Sequence, residues 1–183
     1  MRIGISLSAA MLAALVFTGC GIKTSEYNVS ADNIQKLRQL GDIKIGLDSF
    51  TAENENESMI MCRLSEPIET PNDEAFEKFI EKAFKDELII SGIYDENAQI
   101  KINGHLKKIY GSSVIGNAYW TYDMKISSSN GESFNLESLY DYGSSFSAYA
   151  ACENMGSSFV PSVRKLIQDI VTHPEFNKLI TKK

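Results

Sequence analysis

Hydrophobic residues recur with helical spacing in two long parts of the chain. In residues 73–90, charged side chains occupy one side of the predicted helix and the other side is an apolar stripe of Phe76, Phe79, Ile80, Ala83, Phe84 and Leu88. Residues 146–172 contain a similar stripe, and Pro161 is expected to bend or restart that helix. Shorter helices are predicted for residues 30–40, which Gly41 ends, and after Pro174.

Other segments alternate apolar and polar residues with the period of two that is typical of strands: 42–50, 58–64, 99–106, 117–128 and 133–142. The first two are expected to form a hairpin, and Pro67 and Pro71 to end the second. Asn130-Gly131 predicts a tight turn between the last two, and the broken phase near Ile109 predicts a bulge. This order of elements predicts an α+β fold, with a mostly antiparallel sheet of about five strands and helices packed on one face.

The first residues have the layout of a secretory signal peptide. Arg2 supplies a positive charge, an uncharged apolar stretch follows, and small residues lead into Cys20. The run Thr18-Gly19-Cys20 resembles the lipobox of bacterial lipoproteins, with Phe17 in place of the usual leucine. The resemblance implies a diacylglyceryl thioether on Cys20 and cleavage after Gly19. An ordinary signal peptide with a chance cysteine is the alternative.

This interpretation divides the chain into a signal peptide (residues 1–19), a lipidated tether (20–29) and a single α+β domain (30–183). The formal net charge is −6, and removal of Arg2 makes it −7. Such an acidic chain argues against nucleic acid and against electrostatic docking to anionic lipid. The expected membrane attachment is therefore the lipid on Cys20 alone. Gly21, rather than Asp, after this cysteine favours the periplasmic face of the outer membrane over the inner membrane.

Cys62 and Cys152 are the two cysteines that remain if Cys20 is lipidated. An even number of spare cysteines in an oxidising compartment suggests one disulfide, and two separate buried thiols are the alternative.

Few residues suggest chemistry. The chain has two histidines, His105 and His173, and neither belongs to a zinc motif or a metal cluster, so no metal and no cofactor is expected. The sequence also lacks a glycine loop for phosphates and a nucleophile elbow. A hydrolase built on one of the many serines is a minor alternative, and a non-enzymatic protein is the main expectation.

Aromatic residues are concentrated in residues 110–149. Trp120 and Tyr122 are predicted to share one face of their strand, with Tyr119 on the other face. These three residues are the candidate surface for a ligand or partner, because aromatic side chains stack on sugars and seat protein partners. Cross-strand aromatic pairs that only stabilise the sheet are the competing interpretation.

Residues 43–180 resemble a family of small proteobacterial lipoproteins, on the basis of Cys62-Arg63, the helix that contains Phe76, Ile80, Ala83 and Glu87-Leu88, Ser91-Gly92-Ile93-Tyr94, Ile102-Asn103-Gly104, Ser128-Ser129-Asn130-Gly131, Ala151-Cys152 and His173-Pro174-Glu175-Phe176. The strand order also resembles assembly lipoproteins of the transport-auxiliary and YajG-like type. The resemblance implies pairing of Cys62 with Cys152 and a role within an envelope assembly.

From these observations we expect a membrane-anchored lipoprotein that binds or scaffolds an envelope protein partner without catalysis. The alternative is a glycan or small-ligand binding module that uses the Trp120 region.

Overall fold

The computed structural model describes residues 21–181, so the predicted signal peptide and Cys20 lie outside the described residues. These residues contain four α-helices, α1 (Ala31–Arg38), α2 (Phe76–Ser91), α3 (Ala148–Thr172) and α4 (Phe176–Ile180), and a short 3₁₀ helix at Pro71–Asp73. Ser30 caps α1 by accepting a hydrogen bond from the Asn33 amide, and Gly92 ends α2 with a left-handed backbone conformation. The α3 helix is continuous through Pro161. No helix within residues 21–181 has the length and hydrophobicity needed to cross a bilayer.

Three long antiparallel strands form the main sheet: β6 (Lys101–Val114), β7 (Asn117–Ser128) and β8 (Ser133–Asp141). The predicted turn at Asn130-Gly131 joins β7 to β8, and the predicted bulge lies in β6 between Leu106 and Lys108. Two short strands, β2 (Gly46–Leu47) and β3 (Thr51–Ala52), extend the sheet to five strands by pairing in parallel with β6. The α+β class is therefore confirmed, with a sheet that is antiparallel except at one edge.

A second sheet of three strands lies in the order β1 (Ile22–Lys23), β5 (Glu66–Glu69) and β4 (Met59–Cys62). The predicted hairpin between residues 42–50 and 58–64 is wrong, because β4 pairs with β5 across a tight turn. Pro67 lies inside β5 rather than ending the strand before it. Proline has no backbone N–H to donate. Because β1 pairs only with Ile68 and Glu69 of β5, no hydrogen bond from residue 67 to β1 is required.

The core lies between the helices and one face of the main sheet. The α3 helix packs against β6, β7 and β8, and also against β1 and β5 of the small sheet. Its buried residues include Met155, Phe159 and Leu166, and Phe159 contacts the rings of Phe76, Phe79 and Trp120. The α3 helix therefore connects the two sheets, and the opposite face of the main sheet keeps exposed and half-buried residues such as Tyr119 and Lys125.

Candidate functional site

Residues 21–29, which the sequence predicts as a tether, are packed against the domain. Lys23 in β1 forms ion pairs with Asp73 at 2.8 Å and Glu69 at 3.5 Å. The Ile22 side chain contacts α3 so closely that a Cβ on Gly156 would lie 2.7 Å from it. Arg164 donates a hydrogen bond to the Asn28 carbonyl at 2.8 Å. The chain is therefore fixed to the domain from its first described residues.

The direction of β1 shows where the chain enters the domain. The strand is parallel to β5, with Ile22 opposite Ile68. Gly21, the first described residue, therefore lies at the end of the small sheet that carries Glu66 and the turn joining β4 to β5.

A disulfide joins Cys62 at the end of β4 to Cys152 in the second turn of α3, with 5.7 Å between their Cα atoms. Both residues are buried. The pairing that the lipoprotein resemblance implies is therefore present, and the bond links the small sheet to the helix that covers the main sheet.

Arg63 follows Cys62 in the sequence. It joins the β4–β5 turn to the end of β6 and to the segment before α3. Its guanidinium donates hydrogen bonds to the carbonyl oxygens of Ser113 at 3.0 Å, Ser145 at 2.9 Å and Phe146 at 3.4 Å. Ser113 belongs to the end of β6, and the other two precede α3. This role of Arg63 is not apparent from the sequence, because only the folded chain brings these carbonyl groups to it.

Arg63, Leu64 and Ser65 connect β4 to β5. Arg63 and Leu64 are the two central residues of the turn, and both have positive φ, at 48° and 56°. The Ser65 amide closes the turn by donating to the Cys62 carbonyl at 3.0 Å. Such turns normally contain Asn or Gly, because bulky side chains disfavour this backbone conformation. The consequence is that Leu64 stands at the apex, 93% exposed.

Five exposed apolar side chains surround the Arg63 cluster, and together they are called the apolar tip: Leu64 (93% exposed), Val114 (60%), Ile115 (44%), Phe146 (90%) and Tyr149 (68%). They come from the β4–β5 turn, the β6–β7 turn and the start of α3. Two of these regions lie in stretches without a charged residue, 109–122 and 142–152. Contiguous exposed apolar surface of this kind marks an interaction site in soluble proteins.

Two of the three predicted aromatic site residues are in the core. Trp120 and Tyr122 are fully buried and face α3. The Trp120 Nε1 group donates to the Met155 carbonyl at 3.1 Å and to Ser158 Oγ at 3.0 Å, and Tyr122 shares a 2.5 Å hydrogen bond with Ser162. A ligand surface that includes Trp120 and Tyr122 is therefore a wrong expectation, and the competing interpretation of a sheet-stabilising role fits both residues.

Tyr119 lies on the opposite face of β7, as predicted. Its ring contacts Tyr110 on β6, with centroids 6.0 Å apart. Thr121 lies opposite both Tyr110 and Leu139 in the strand register. These four residues, Tyr110, Tyr119, Thr121 and Leu139, are called the tyrosine face. Three of them, Tyr119, Thr121 and Leu139, border a shallow depression of about 500 Å³ that Glu137 and Asp141 complete.

The two histidines have structural partners. His105 is opposite Thr51 in the β3–β6 register and lies 2.9 Å from its hydroxyl, with Glu53 at 3.4 Å on the other ring nitrogen. His173 stacks on Phe134 with centroids 3.9 Å apart. No serine hydroxyl is bonded to either ring among the described hydrogen bonds. Within residues 21–181 no group of three His, Cys, Asp or Glu residues could hold a metal ion.

Three tyrosines have raised pKa values. Burial raises the pKa of Tyr27, and the hydrogen bond to Glu87 raises it further. Burial also raises the pKa of Tyr122 and of Tyr142. Tyr142 donates to the Ser112 carbonyl at 2.8 Å, and Tyr27 and Tyr122 are hydrogen-bonded as well, so each of the three hydroxyls has a partner within the fold.

A groove of about 700 Å³ lies at the other end of the molecule, where β6 begins. Its walls include Leu40, Ile43, Ile100 and Ile180, together with Asp42 and Asp95. Hydrogen-bonding side chains of Lys44, Asn97, Gln99, Asn177 and Thr181 also line it.

No protein-family model and no curated protein matches this sequence. Among solved structures, the chain is similar to the crystal structure of protein XCC0632 from Xanthomonas campestris, described as a DUF330 protein, with a TM-score of 0.51 and 10% sequence identity. The similarity covers 72% of this chain and 82% of that chain. At this identity it shows a shared fold and no shared activity.

Proposed function

We propose that the protein is a lipid-anchored envelope protein, held by acyl chains on Cys20 at the periplasmic face of the outer membrane, which binds a protein partner without catalysis. The observation that contributes most is the buried disulfide between Cys62 and Cys152. Structural disulfides form and persist in oxidising compartments, and the periplasm is one of these. The signal-peptide layout and the cysteine of the lipobox-like run are consistent with that compartment.

The tyrosine face is the proposed site for the partner. Tyr110 and Tyr119 offer rigid amphipathic rings, which are enriched where proteins meet, and Leu139 adds exposed apolar area beside them. The rest of this face is charged and includes Lys107, Asp123 and Lys125. The contrast along one sheet surface favours a partner footprint at the tyrosine end.

The two alternatives receive less support. A glycan site that uses Trp120 would need that ring at the surface, and the ring is fully buried. A serine hydrolase would need a serine hydroxyl beside a histidine, whereas the ring of His105 is bonded to Thr51 and Glu53.

The anchor is tested by Cys20→Ala. The unsubstituted protein is expected to incorporate radiolabelled palmitate and to sediment with membranes, and the variant to lack the label and appear in the soluble periplasmic fraction. A variant that still sediments with membranes after a salt wash would contradict attachment by lipid alone.

The partner site is tested by photocrosslinking in intact cells, with a photoreactive phenylalanine at position 119 and a matched control at position 125, on the same strand face. We expect discrete adducts at position 119 that are absent at position 125. Equal labelling at both positions, or no adduct at either, would overturn the assignment of the tyrosine face.

A further inference from the structure

We propose that the apolar tip rests on the bilayer that holds the acyl chains of Cys20, so that the domain has a fixed orientation on the membrane. The occupant of this surface is a phospholipid bilayer, and the inference depends on the proposed lipid anchor. Three independent features of the described residues support it: the place where the chain enters, the lack of slack behind that place, and the chemistry of the tip.

The chain enters the domain at the end that bears the apolar tip. The β4 strand runs towards Arg63 and Leu64, β5 runs away from them, and β1 is parallel to β5. The α3 helix gives the same direction, because Tyr149 precedes Cys152, and Gly156, one turn further along, lies against Ile22. Gly21, the first described residue, is therefore at the same end of the molecule as the tip.

No flexible linker lies between Gly21 and the first strand of the domain. Ile22 and Lys23 are paired with β5, and the Thr24 amide donates to the Glu69 carbonyl at 2.8 Å. If Cys20 is embedded through its acyl chains, Gly21 alone lies between it and the paired strand. A domain held this closely must place one end against the lipid headgroups, and the tip end is the one that the attachment selects.

The chemistry of the tip fits a membrane surface. Its side chains are aliphatic and aromatic, with a tyrosine that offers both an apolar ring and a polar hydroxyl, as in the aromatic belts of membrane interfaces. The guanidinium of Arg63 is already hydrogen-bonded to three carbonyl oxygens. The β6–β7 turn and residues 142–152 contain no charge, although the formal net charge of the whole chain is −6. Two of the three segments that form the tip are therefore uncharged, and the nearest acidic residues along the chain are Glu66, Asp141 and Glu153.

The backbone of the β4–β5 turn supports the same conclusion. Two bulky residues occupy positions where positive φ favours Asn or Gly, and the result is a leucine projected into solvent. The fold gains no burial from Leu64 in this position. Contact with an apolar phase outside the protein explains why a large aliphatic side chain stands there.

The test uses the mature lipidated protein, purified in detergent and reconstituted into phosphatidylcholine vesicles with or without bromine on the acyl chains. Phe146→Trp places a fluorophore in the tip, and Ile90→Trp is the matched control at the far end, with 52% exposure. The β6 strand alone separates the two ends by about 45 Å. Trp120 is fully buried and provides a constant background that the unsubstituted protein measures.

We expect brominated lipid to reduce the added emission of Phe146→Trp by roughly half, because interfacial side chains lie about 5–10 Å into the headgroup region, and to leave Ile90→Trp unchanged. Tyr149→Trp is a second tip variant with the same expectation. Vesicle flotation on a density gradient reports the anchor separately.

Flotation with equal, weak quenching at both ends would overturn the tip contact and leave the anchor intact. Emission from Phe146→Trp that shifts to shorter wavelength without bromine quenching would overturn it in favour of a second copy or another protein on the tip. If the unsubstituted protein purified from cells carries no acyl chains and does not float, the anchor is removed and, with it, this inference.

Discussion

The Tyr27 hydroxyl donates a hydrogen bond of 2.5 Å to Oε1 of Glu87, a carboxylate that is fully buried 60 residues further along the chain. The same oxygen accepts from the Ser30 amide at 2.8 Å. A buried carboxylate in α2 therefore holds the segment that leads from β1 into α1. This contact explains why the residues after Cys20 form part of the domain instead of a flexible linker.

Tyr27→Phe should lower the free energy of unfolding by about 1–3 kcal/mol, because a buried acceptor loses a donor. Urea denaturation followed by circular dichroism measures this change, and hydrogen exchange should increase first in residues 22–30. Tyr149→Phe is the control, since that ring is exposed and no hydrogen bond of its hydroxyl is described. Equal stability of the two variants would show that the Glu87 contact contributes nothing.

Stability should fall at alkaline pH because of the buried tyrosines. The pKa values of Tyr27, Tyr122 and Tyr142 are raised above the usual value of 10 in the folded protein. The stabilisation is complete below pH 10, and it is lost as the pH rises from there towards the folded-state values, because the unfolded chain releases these protons first. Absorbance titration at the phenolate band should show fewer ionising tyrosines in the native protein than in urea. Identical titration curves would contradict the burial of these hydroxyls.

Replacement of both disulfide cysteines, Cys62→Ala with Cys152→Ala, should cost about 4–5 kcal/mol on the chain-entropy model, because the bond closes a long loop. The separation of the two cysteines is 90 residues. The urea midpoint of the oxidised protein should fall to that of the double variant when a reductant is added. Mass spectrometry of the non-reduced protein should detect the linked peptide, and two alkylatable thiols would contradict the bond.

Substitution of Trp120 should lower stability and leave partner binding intact, whereas substitution of Tyr119 should abolish partner binding with little loss of stability. Trp120→Phe leaves a small cavity and removes the donor to Met155 and Ser158, so we expect a loss of about 2 kcal/mol in stability with the crosslinks at the tyrosine face retained. Tyr119→Ala should cost about 1 kcal/mol or less, because it removes one cross-strand ring contact. Its expected effect is loss of partner adducts, detected with the crosslinker moved to position 139. A stable Trp120→Phe protein that binds no partner would reverse these roles.

The sequence predicted the elements whose patterns are local. The stripe of α2, the alternation in β7 and the Asn130-Gly131 turn each depend on residues close together in the chain, so periodicity and turn chemistry suffice. The β4–β5 hairpin was missed because its turn is Arg63-Leu64 and has neither Asn nor Gly. The parallel pairing of β2 and β3 with β6 was missed because it depends on contacts between distant segments.

The candidate site shows the same difference between features set by local patterns and features set by contacts between distant segments. Alternation placed Trp120 and Tyr119 on opposite faces of β7 correctly, but it does not tell which face the helices cover. The buried stripe of α3 takes the face of Trp120, and this leaves Tyr119 outside. The apolar tip could not be anticipated either, because Leu64, Val114 and Phe146 belong to distant segments of the chain that hydrogen bonds such as those of Arg63 bring together.

The bond between Cys62 and Cys152 also makes a covalent ring of every residue between them, which includes α2 and all three long strands. A protease that cuts one exposed turn inside this ring, at Gly116 or at Gly143, opens the ring but releases no fragment. The two halves of such a nicked molecule stay joined until the disulfide is reduced, so a single cut leaves the domain attached to its own N-terminal segment.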